Sequence, residues 1–284
     1  MEEAIKKADV LIEALPYIKK FHNKSVVIKY GGSILGEDKI RKSVLEDIVF
    51  LSFMGLRPVL VHGGGPNISD RMRSAGKKTE FVDGMRVTDE ETLSLVEEEL
   101  QKLNDLIVKE MHEIGGRVAG LNGRVHKIIF AEKKKAKIDL GYVGDIVRID
   151  SCVITTELEA HKVAVILPMG VGRDLKAYNV NADEAASHIA VALGAEKLVL
   201  LTNVKGIMRN PDDPASFISA INIKEAENLM EDKVIQQGMI PKVDACIDAL
   251  RLGVKKTHII DARIPHGLLL EIFTDQGVGT EINH

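Results

Sequence analysis

Three observations predict an α/β protein with an open, mainly parallel sheet covered on both faces. Short β-branched runs recur along the chain, amphipathic stretches separate them, and several runs are apolar nearly throughout, as strands buried on both faces must be. The strand candidates are residues 25–30 (SVVIKY), 58–62 (PVLVH), 125–130, 163–167, 197–203 (KLVLLTN) and 255–261. Between them, residues 39–54, 68–74, 183–193 and 242–252 carry helical periodicity.

Ahead of the first strand, residues 1–23 form a separate amphipathic helix with Ile5, Val10, Leu11, Leu15, Ile18 and Phe21 apolar. Pro16 should kink or split it, because proline removes a donor and crowds the preceding turn. A longer helix is expected from Thr88, where Thr88 and Glu91 have the spacing of a capping box. Leu93, Val96, Leu100, Leu103, Ile107, Met111 and Ile114 follow at three- and four-residue steps, and Gly115-Gly116 ends it. That is about 26 residues, or about 39 Å, enough to span a lobe or to line a subunit interface. The Lys133-Lys134-Lys135 run reads as a solvated hairpin tip.

With 284 residues there is room for two lobes, and 45% hydrophobic with 28% charged residues is ordinary for a globular chain. A formal charge of −4 leaves no basic excess for nucleic acid or anionic lipid, and no Trp is available as a stacking platform. Cys152 and Cys246 sit in no metal or redox spacing and read as packed, reduced thiols, which points to a cytoplasmic setting. No signal peptide opens the chain and no apolar run reaches the length of a membrane span.

The chemistry concentrates at strand ends. The first strand candidate runs into Lys29-Tyr30-Gly31-Gly32-Ser33, and the second ends in His62-Gly63-Gly64-Gly65-Pro66-Asn67 before a helix. Glycines after a strand free backbone N–H groups to form an anion nest, and a following helix adds its positive end. The Walker A, G-x-G-x-x-G, H-E-x-x-H and G-x-S-x-G signatures are all missing. Lys29 ends an otherwise apolar run, where an ammonium is costly unless it faces a polar site. Lys242 opens a helix, where a cation is unfavourable without an anionic partner. Asn181 with Glu184 is a sufficient N-cap pair, which leaves Asn179 as the better ligand candidate, and Asp183 falls in the first turn. Two lysines, two glycine nests and a carboxylate suit phosphoryl transfer, which rests on positioning and charge stabilisation.

KYGG at 29–32, HGGGP at 62–66, FVDGMRVTD at 81–89, DLGYVGD at 139–145, NVNADEAA at 179–186, LLTNVKGI at 200–207 and GMIPKV at 238–243 follow one another along the chain. In this order they resemble the amino acid kinase family, and within it the branch acting on N-acetyl-L-glutamate. The resemblance implies a three-layer α/β/α sandwich: residues 24–176 as the amino-acid lobe, 177–284 as the nucleotide lobe, and 1–23 as an oligomerisation extension. It implies phosphorylation of the substrate γ-carboxylate by ATP, with Mg²⁺ carried on the phosphates and no metal held by the protein itself. Lys29 and Lys242 would flank the transferred group, and Asp183 would orient them. Gly31, Gly32, Gly64 and Gly65 would offer N–H groups. Arg86 would hold the α-carboxylate and Asn179 would bind nearby; Thr202, Asn203, Gly206 and Met239 would line the nucleotide site. Ser33, Asn203 and the Leu121-Asn122-Gly123-Arg124-Val125 stretch depart from commoner versions of the pattern.

Arginine-inhibited members resemble this chain in their N-terminal helix and in the segment at 265–280. By that match Glu271 and Gly277, with His258 and Lys197 nearby, would bind L-arginine, and the assembly would be a homohexamer, a trimer of dimers. Some members also bind a nitrogen-regulatory protein. A sibling kinase acting on glutamate, aspartate, carbamate or a nucleotide, and a non-catalytic amino-acid sensor, are the alternative readings.

Overall fold

In the computed structural model every residue is described except 32–35, 83, 211, 275 and 276, with residues 2–4, 6–8, 10, 11 and 237 described by backbone alone. The chain opens with α1 (Glu2–Phe21), then β1 (Ser25–Tyr30), α2 (Asp38–Phe53), β2 (Arg57–His62) and α3 (Gly65–Ser74). A two-stranded ribbon, β3 (Phe81–Val82) and β4 (Met85–Arg86), leads into α4 (Glu90–Glu113) and β5 (Val118–Asn122). Next come β6 (Ile129–Lys133), β7 (Gly144–Ile149), α5 (Cys152–Glu159), β8 (Val163–Leu167), β9 (Met169–Val171) and β10 (Ala177–Asn179). The last part holds α6 (Ala182–Ala192), β11 (Lys197–Thr202), β12 (Ala220–Asn222), α7 (Ile223–Glu231), α8 (Ile240–Arg251), β13 (Lys256–Asp261), α9 (Gly267–Phe273) and β14 (Thr280–Asn283).

Among the described residues eight strands form the main sheet, ordered β12-β14-β13-β11-β1-β2-β8-β5, and β10-β9-β6-β7 form a second, smaller sheet. The main sheet is parallel apart from the antiparallel β13–β14 contact. Helices cover both faces. Val44, Leu45 and Ile48 of α2, Ile107 and Met111 of α4, and Leu268 and Ile272 of α9 pack on one side with Phe21 of α1. Ile154 and Leu158 of α5, Ala186 and Ile189 of α6, Leu229 of α7, and Val243 and Ile247 of α8 pack on the other. This is the three-layer α/β/α arrangement.

Several boundaries differ from expectation. The expected strand at 125–130 is a turn followed by β6, and β5 precedes it: Asn122 accepts from the Arg124 and Val125 N–H groups through Oδ1 and bends the chain there. The long helix has 24 residues and is capped by Asp89, which accepts from Thr92 N, and not by Thr88, whose hydroxyl donates to the Arg86 carbonyl. α1 runs unsplit through Pro16. Cys246 is buried as expected, but Cys152 is exposed. The lysine run, whose first residue ends β6, has Lys133 and Lys135 exposed as expected, with Lys133 2.8 Å from Asp139 and Lys134 paired with Asp145.

Candidate active site

The period of two along β1 sets up the site. Val26, Ile28 and Tyr30 face the α2 side, so Val27 and Lys29 face α6 and α8. β1 lies between β2 and β11, where the chain's progress across the sheet reverses, and their carboxyl ends are in register: Tyr30 sits beside both His62 and Leu201. Open α/β sheets hold ligands in the crevice outside such ends. Here the crevice is a cleft of about 580 Å³.

Three charges occupy its floor. Lys29 Nζ lies 2.8 Å from Asp183 Oδ1, and Lys242 Nζ donates to Asp183 Oδ2 at 3.0 Å. Asn181 caps α6, accepting from Asp183 N at 2.7 Å and Glu184 N at 3.2 Å, and so aims the first turn, with Asp183, at the strand ends. Lys242 comes from the first turn of α8, which opens on Ile240-Pro241, with Pro241 supplying a pre-set φ. Burial pushes the Lys29 ammonium below its ordinary pKa, opposed by the Asp183 carboxylate and reinforced by Lys242. Burial also works against the Asp183 charge, but the two lysines outweigh it and hold the carboxyl below the usual range. Each ammonium has three donors, so the bridge to Asp183 leaves N–H groups of both for an anion in the cleft.

Glycines form the wall. Gly31 donates to Leu201 O at 3.2 Å, and Gly63 donates to Tyr30 O at 3.0 Å. Gly64 is the N-cap of α3, and a Cβ there would press on Leu100 and Leu103 at 3.0–3.1 Å; one at Gly65 would meet open space. Arg86 reaches across to this loop: Nη2 donates to Gly65 O at 3.0 Å and Ser69 Oγ at 2.9 Å, while the guanidinium lies 4.7 Å over the Phe81 ring. Asn179 Nδ2 donates to Thr88 Oγ1 at 3.2 Å. Thr88 and Gly141 form a bridge, as do Val143 and Asn179, so the 81–89, 139–145 and 179–186 motifs are stitched into one edge. Gly141 has φ +73° and a Cβ there would stand 2.1 Å from the Thr88 carbonyl, so the bridge requires glycine.

The cleft therefore brings together Lys29, Gly31, Gly64, Gly65, Arg86, Asn179, Asp183, Thr202, Asn203, Met239 and Lys242 from the expected set. Gly206 is not in its lining; its φ is +136° and it packs against Thr280 and Phe217. Gly32 and Ser33 lie outside the described residues. Thr88, Phe81 and Pro168 were not singled out by their chemistry. Phe81 and Pro168 line the cleft and carry no polar signal; Thr88 is bonded to Asn179 and was legible only as a supposed cap.

The amino acid kinase family model matches residues 24–261. Acetylglutamate kinase from Caldanaerobacter subterraneus subsp. tengcongensis is 50% identical over 281 residues, covering 99% of this chain and 94% of that one. The Petrotoga mobilis acetylglutamate kinase is 49% identical with the same coverage. The chain belongs to the amino acid kinase family. It is a kinase, and its fold is that of the family. Among solved structures, N-acetylglutamate synthase from Neisseria gonorrhoeae, in complex with coenzyme A and N-acetylglutamate, superposes with a TM-score of 0.87 at 27% identity, covering 98% of this chain. A second structure of that synthase, with coenzyme A and L-arginine, gives 0.82 at 27% identity over 97% of this chain. This chain spans 63% and 65% of those two synthase chains. Carbamate kinase from Giardia lamblia, at 18% identity and a TM-score of 0.64, shares the fold.

The kinase has a second cleft, of about 400 Å³, between α1 and the C-terminal segment. Lys197, Glu271 and Gly277 line it together with Tyr17 and Phe21 of α1. His258 is fully buried, with Nδ1 2.7 Å from Glu271 Oε1, and Val278 N donates to Glu271 Oε2 at 3.0 Å. Lys197 Nζ donates to the Glu271 carbonyl at 3.4 Å. Glu271 is thus a buried carboxylate and not a solvated surface group. The four positions picked out for an effector form one cluster. Among the described residues no helix is long and apolar enough to cross a membrane, and no group of three or more His, Cys, Asp or Glu is arranged to hold a metal ion.

Proposed function

We propose that this kinase transfers the γ-phosphoryl group of ATP to the γ-carboxylate of N-acetyl-L-glutamate, giving N-acetyl-L-glutamyl 5-phosphate and ADP, in the second step of arginine biosynthesis. The observation that carries this reading is the Lys29–Asp183–Lys242 bridge at the foot of a cleft walled by the glycine loop and Arg86. A carboxylate oxygen attacks the γ-phosphorus as its bond to the ADP oxygen breaks, and no proton need move. The protein's task is to bring two anions together and to stabilise the charge that spreads over the equatorial oxygens. Lys29 and Lys242 do so from fixed positions, which is worth more in a buried floor than in water. Gly64 and Gly65 lend N–H groups, whereas the Gly31 N–H expected to do so is already donated to Leu201 O; Arg86 takes the α-carboxylate beside Asn179, and Mg²⁺ rides on the nucleotide. Thr202, Asn203 and Met239 border the nucleotide's end of the cleft, with residues 24–176 as the amino-acid lobe and 177–284 as the nucleotide lobe.

The second cleft supports feedback by L-arginine: Glu271 presents a carboxylate to a guanidinium, and Lys197 presents an ammonium to the effector's own carboxylate. α1, which closes one side of that cleft, also exposes Ile5, Ile12 and Leu15, a surface suited to docking on a neighbouring dimer in a cytoplasmic hexamer.

ADP release measured with MgATP and N-acetyl-L-glutamate, against free glutamate, aspartate and carbamate, each with and without L-arginine, tests the reading. Turnover confined to the acetylated substrate and suppressed by arginine is expected. Turnover on another substrate alone would reassign the specificity.

A further inference from the structure

The geometry points to His62, backed by Asn104, as the positioning residue that orients the glycine loop for phosphoryl transfer. This deepens the reading above and rests on it. His62 ends β2, is fully buried, and stands behind the loop, outside the lining of the cleft. Its Nδ1 lies 3.3 Å from the Gly63 carbonyl, and its Nε2 lies 3.2 Å from Asn104 Nδ2. Asn104 comes from the middle of α4, is itself buried, and spends its other amide hydrogen on the Val165 carbonyl of β8 at 3.0 Å.

These contacts determine the tautomer. A carbonyl only accepts, so the atom of Asn104 facing Val165 is the amide nitrogen, and the same nitrogen faces His62 Nε2. Nε2 must then be an acceptor, which leaves the hydrogen on Nδ1 to donate to Gly63 O. A second ring hydrogen would point at the Asn104 N–H, and burial independently holds the imidazole down at about 4. His62 is therefore a neutral, one-way connector at working pH, and nothing in its setting suits it to acid–base chemistry.

What it holds is the Gly63–Gly64 peptide plane, the plane before it being held by the Gly63 N–H. Gly63 N–H is tied to Tyr30 O at 3.0 Å, and Gly63 C=O is tied to the ring. In a trans peptide the next N–H points opposite to the carbonyl, so drawing the Gly63 carbonyl toward the sheet turns Gly64 N–H toward the cleft. No described residue accepts from the Gly64 or Gly65 N–H groups. Without the ring, a glycine-rich peptide has many orientations open to it, and the donors would no longer stand in one place when charge develops.

The test compares His62→Asn, His62→Phe and Asn104→Leu with wild type by steady-state kinetics from pH 5 to 9, thermal unfolding, and backbone amide exchange at Gly63. Asparagine keeps a donor where Nδ1 lies but leaves a gap, while phenylalanine fills the space and keeps no donor. His62→Phe is expected to lose about 10–100-fold in kcat, the scale of a loop misplaced by about 1 Å, with KM for ATP near wild type. It should also exchange the Gly63 amide, the one bonded to Tyr30 O, faster. His62→Asn should stay within about threefold of wild-type kcat although it is the less stable variant, with its acidic limb unmoved. Asn104→Leu, which frees the ring to change tautomer, should fall between them, and it carries the comparison if His62→Phe does not fold. Wild-type kcat in His62→Phe, or kcat losses that simply follow thermal stability, would overturn the assignment. If wild type itself does not turn over N-acetyl-L-glutamate, the reaction is misassigned; the amide exchange then still decides the loop's anchor, with equal rates in wild type and His62→Phe refuting it.

Discussion

On the proposed reaction, replacing Lys29 or Lys242 by alanine removes one of the two cations assigned to the transferred group, and each should lower kcat about 10²–10³-fold, the scale for one preorganised charge stabiliser. Values within threefold of wild type for both would refute their roles. Asp183 acts through them. Its carboxylate favours the charged form of Lys29 against burial and against Lys242, so Asp183→Asn should lower the Lys29 pKa further. The fall in kcat at alkaline pH should then begin at a lower pH than in wild type, which a pH–rate profile would show. An unshifted alkaline limb would mean that Lys29 does not report on this carboxylate. At Gly141 the effect is backbone strain: Gly141→Ala should cost at least about 1–2 kcal/mol from the left-handed conformation alone, before its clash with Thr88 O. That corresponds to a Tm lower by several degrees.

Two helices are tied by one ion pair. His266, in the left-handed region at φ +55°, heads α9, and its Nδ1 lies 2.6 Å from Oδ1 of Asp47 on α2. The Asp47 carboxylate raises the His266 pKa above 6.5; burial pushes Asp47 up to about 6, against the His266 charge. For His266 the folded value exceeds the unfolded one, so its stabilisation is full below about 6.5 and disappears as pH rises through the raised value. Asp47 has the same sign: burial favours its protonated form, and that part is lost between about pH 4 and 6. Wild type should therefore exceed His266→Gln in thermal stability near pH 6 and converge with it at pH 9, the gap being modest because the imidazole is largely exposed. Because α9 carries Glu271, the proposed arginine inhibition should weaken in the same direction. α1 offers a separate test at this scale. Removing residues 1–20 takes away Tyr17 from the second cleft and the exposed Ile5, Ile12 and Leu15. On the proposed regulation, arginine inhibition should be lost in the ADP-release assay and the proposed hexamer should be lost by light scattering, with kinase activity retained.

For the whole molecule, one eight-stranded sheet carries both clefts. The first cleft opens at the carboxyl ends of β1, β2 and β11, while Lys197, at the opposite end of β11, lines the second. Lys197 and Thr202 are thus the two ends of one six-residue strand. The sheet's order was legible only in part. Near-continuous apolar runs marked β1, β2, β8, β11 and β13, because strands covered on both faces must be apolar throughout. The short strands β3, β4, β9, β10, β12 and β14 escaped notice, since two to four residues carry no period, and what makes them strands is a partner distant in sequence.

The chain's own residues announced their chemistry. A lysine closing an apolar run, a second lysine opening a helix, and glycines after two strands violate local preference and so mark a site. Asn104 was a weaker sign of the same kind, a polar residue in the apolar stripe of α4, and its meaning needed His62 in view. Nothing local says that Asp183 stands between Lys29 and Lys242, 154 and 59 residues away in sequence, taken as 183 − 29 and 242 − 183. Nor does it say that Glu271 is buried against His258 or that Gly206 packs on Thr280. Periodicity and turn chemistry are properties of neighbours along the chain, so the sequence alone determined the layers and the reactive groups. Distance, burial and charge balance are set by the sheet's crossovers, which no run of neighbouring residues encodes.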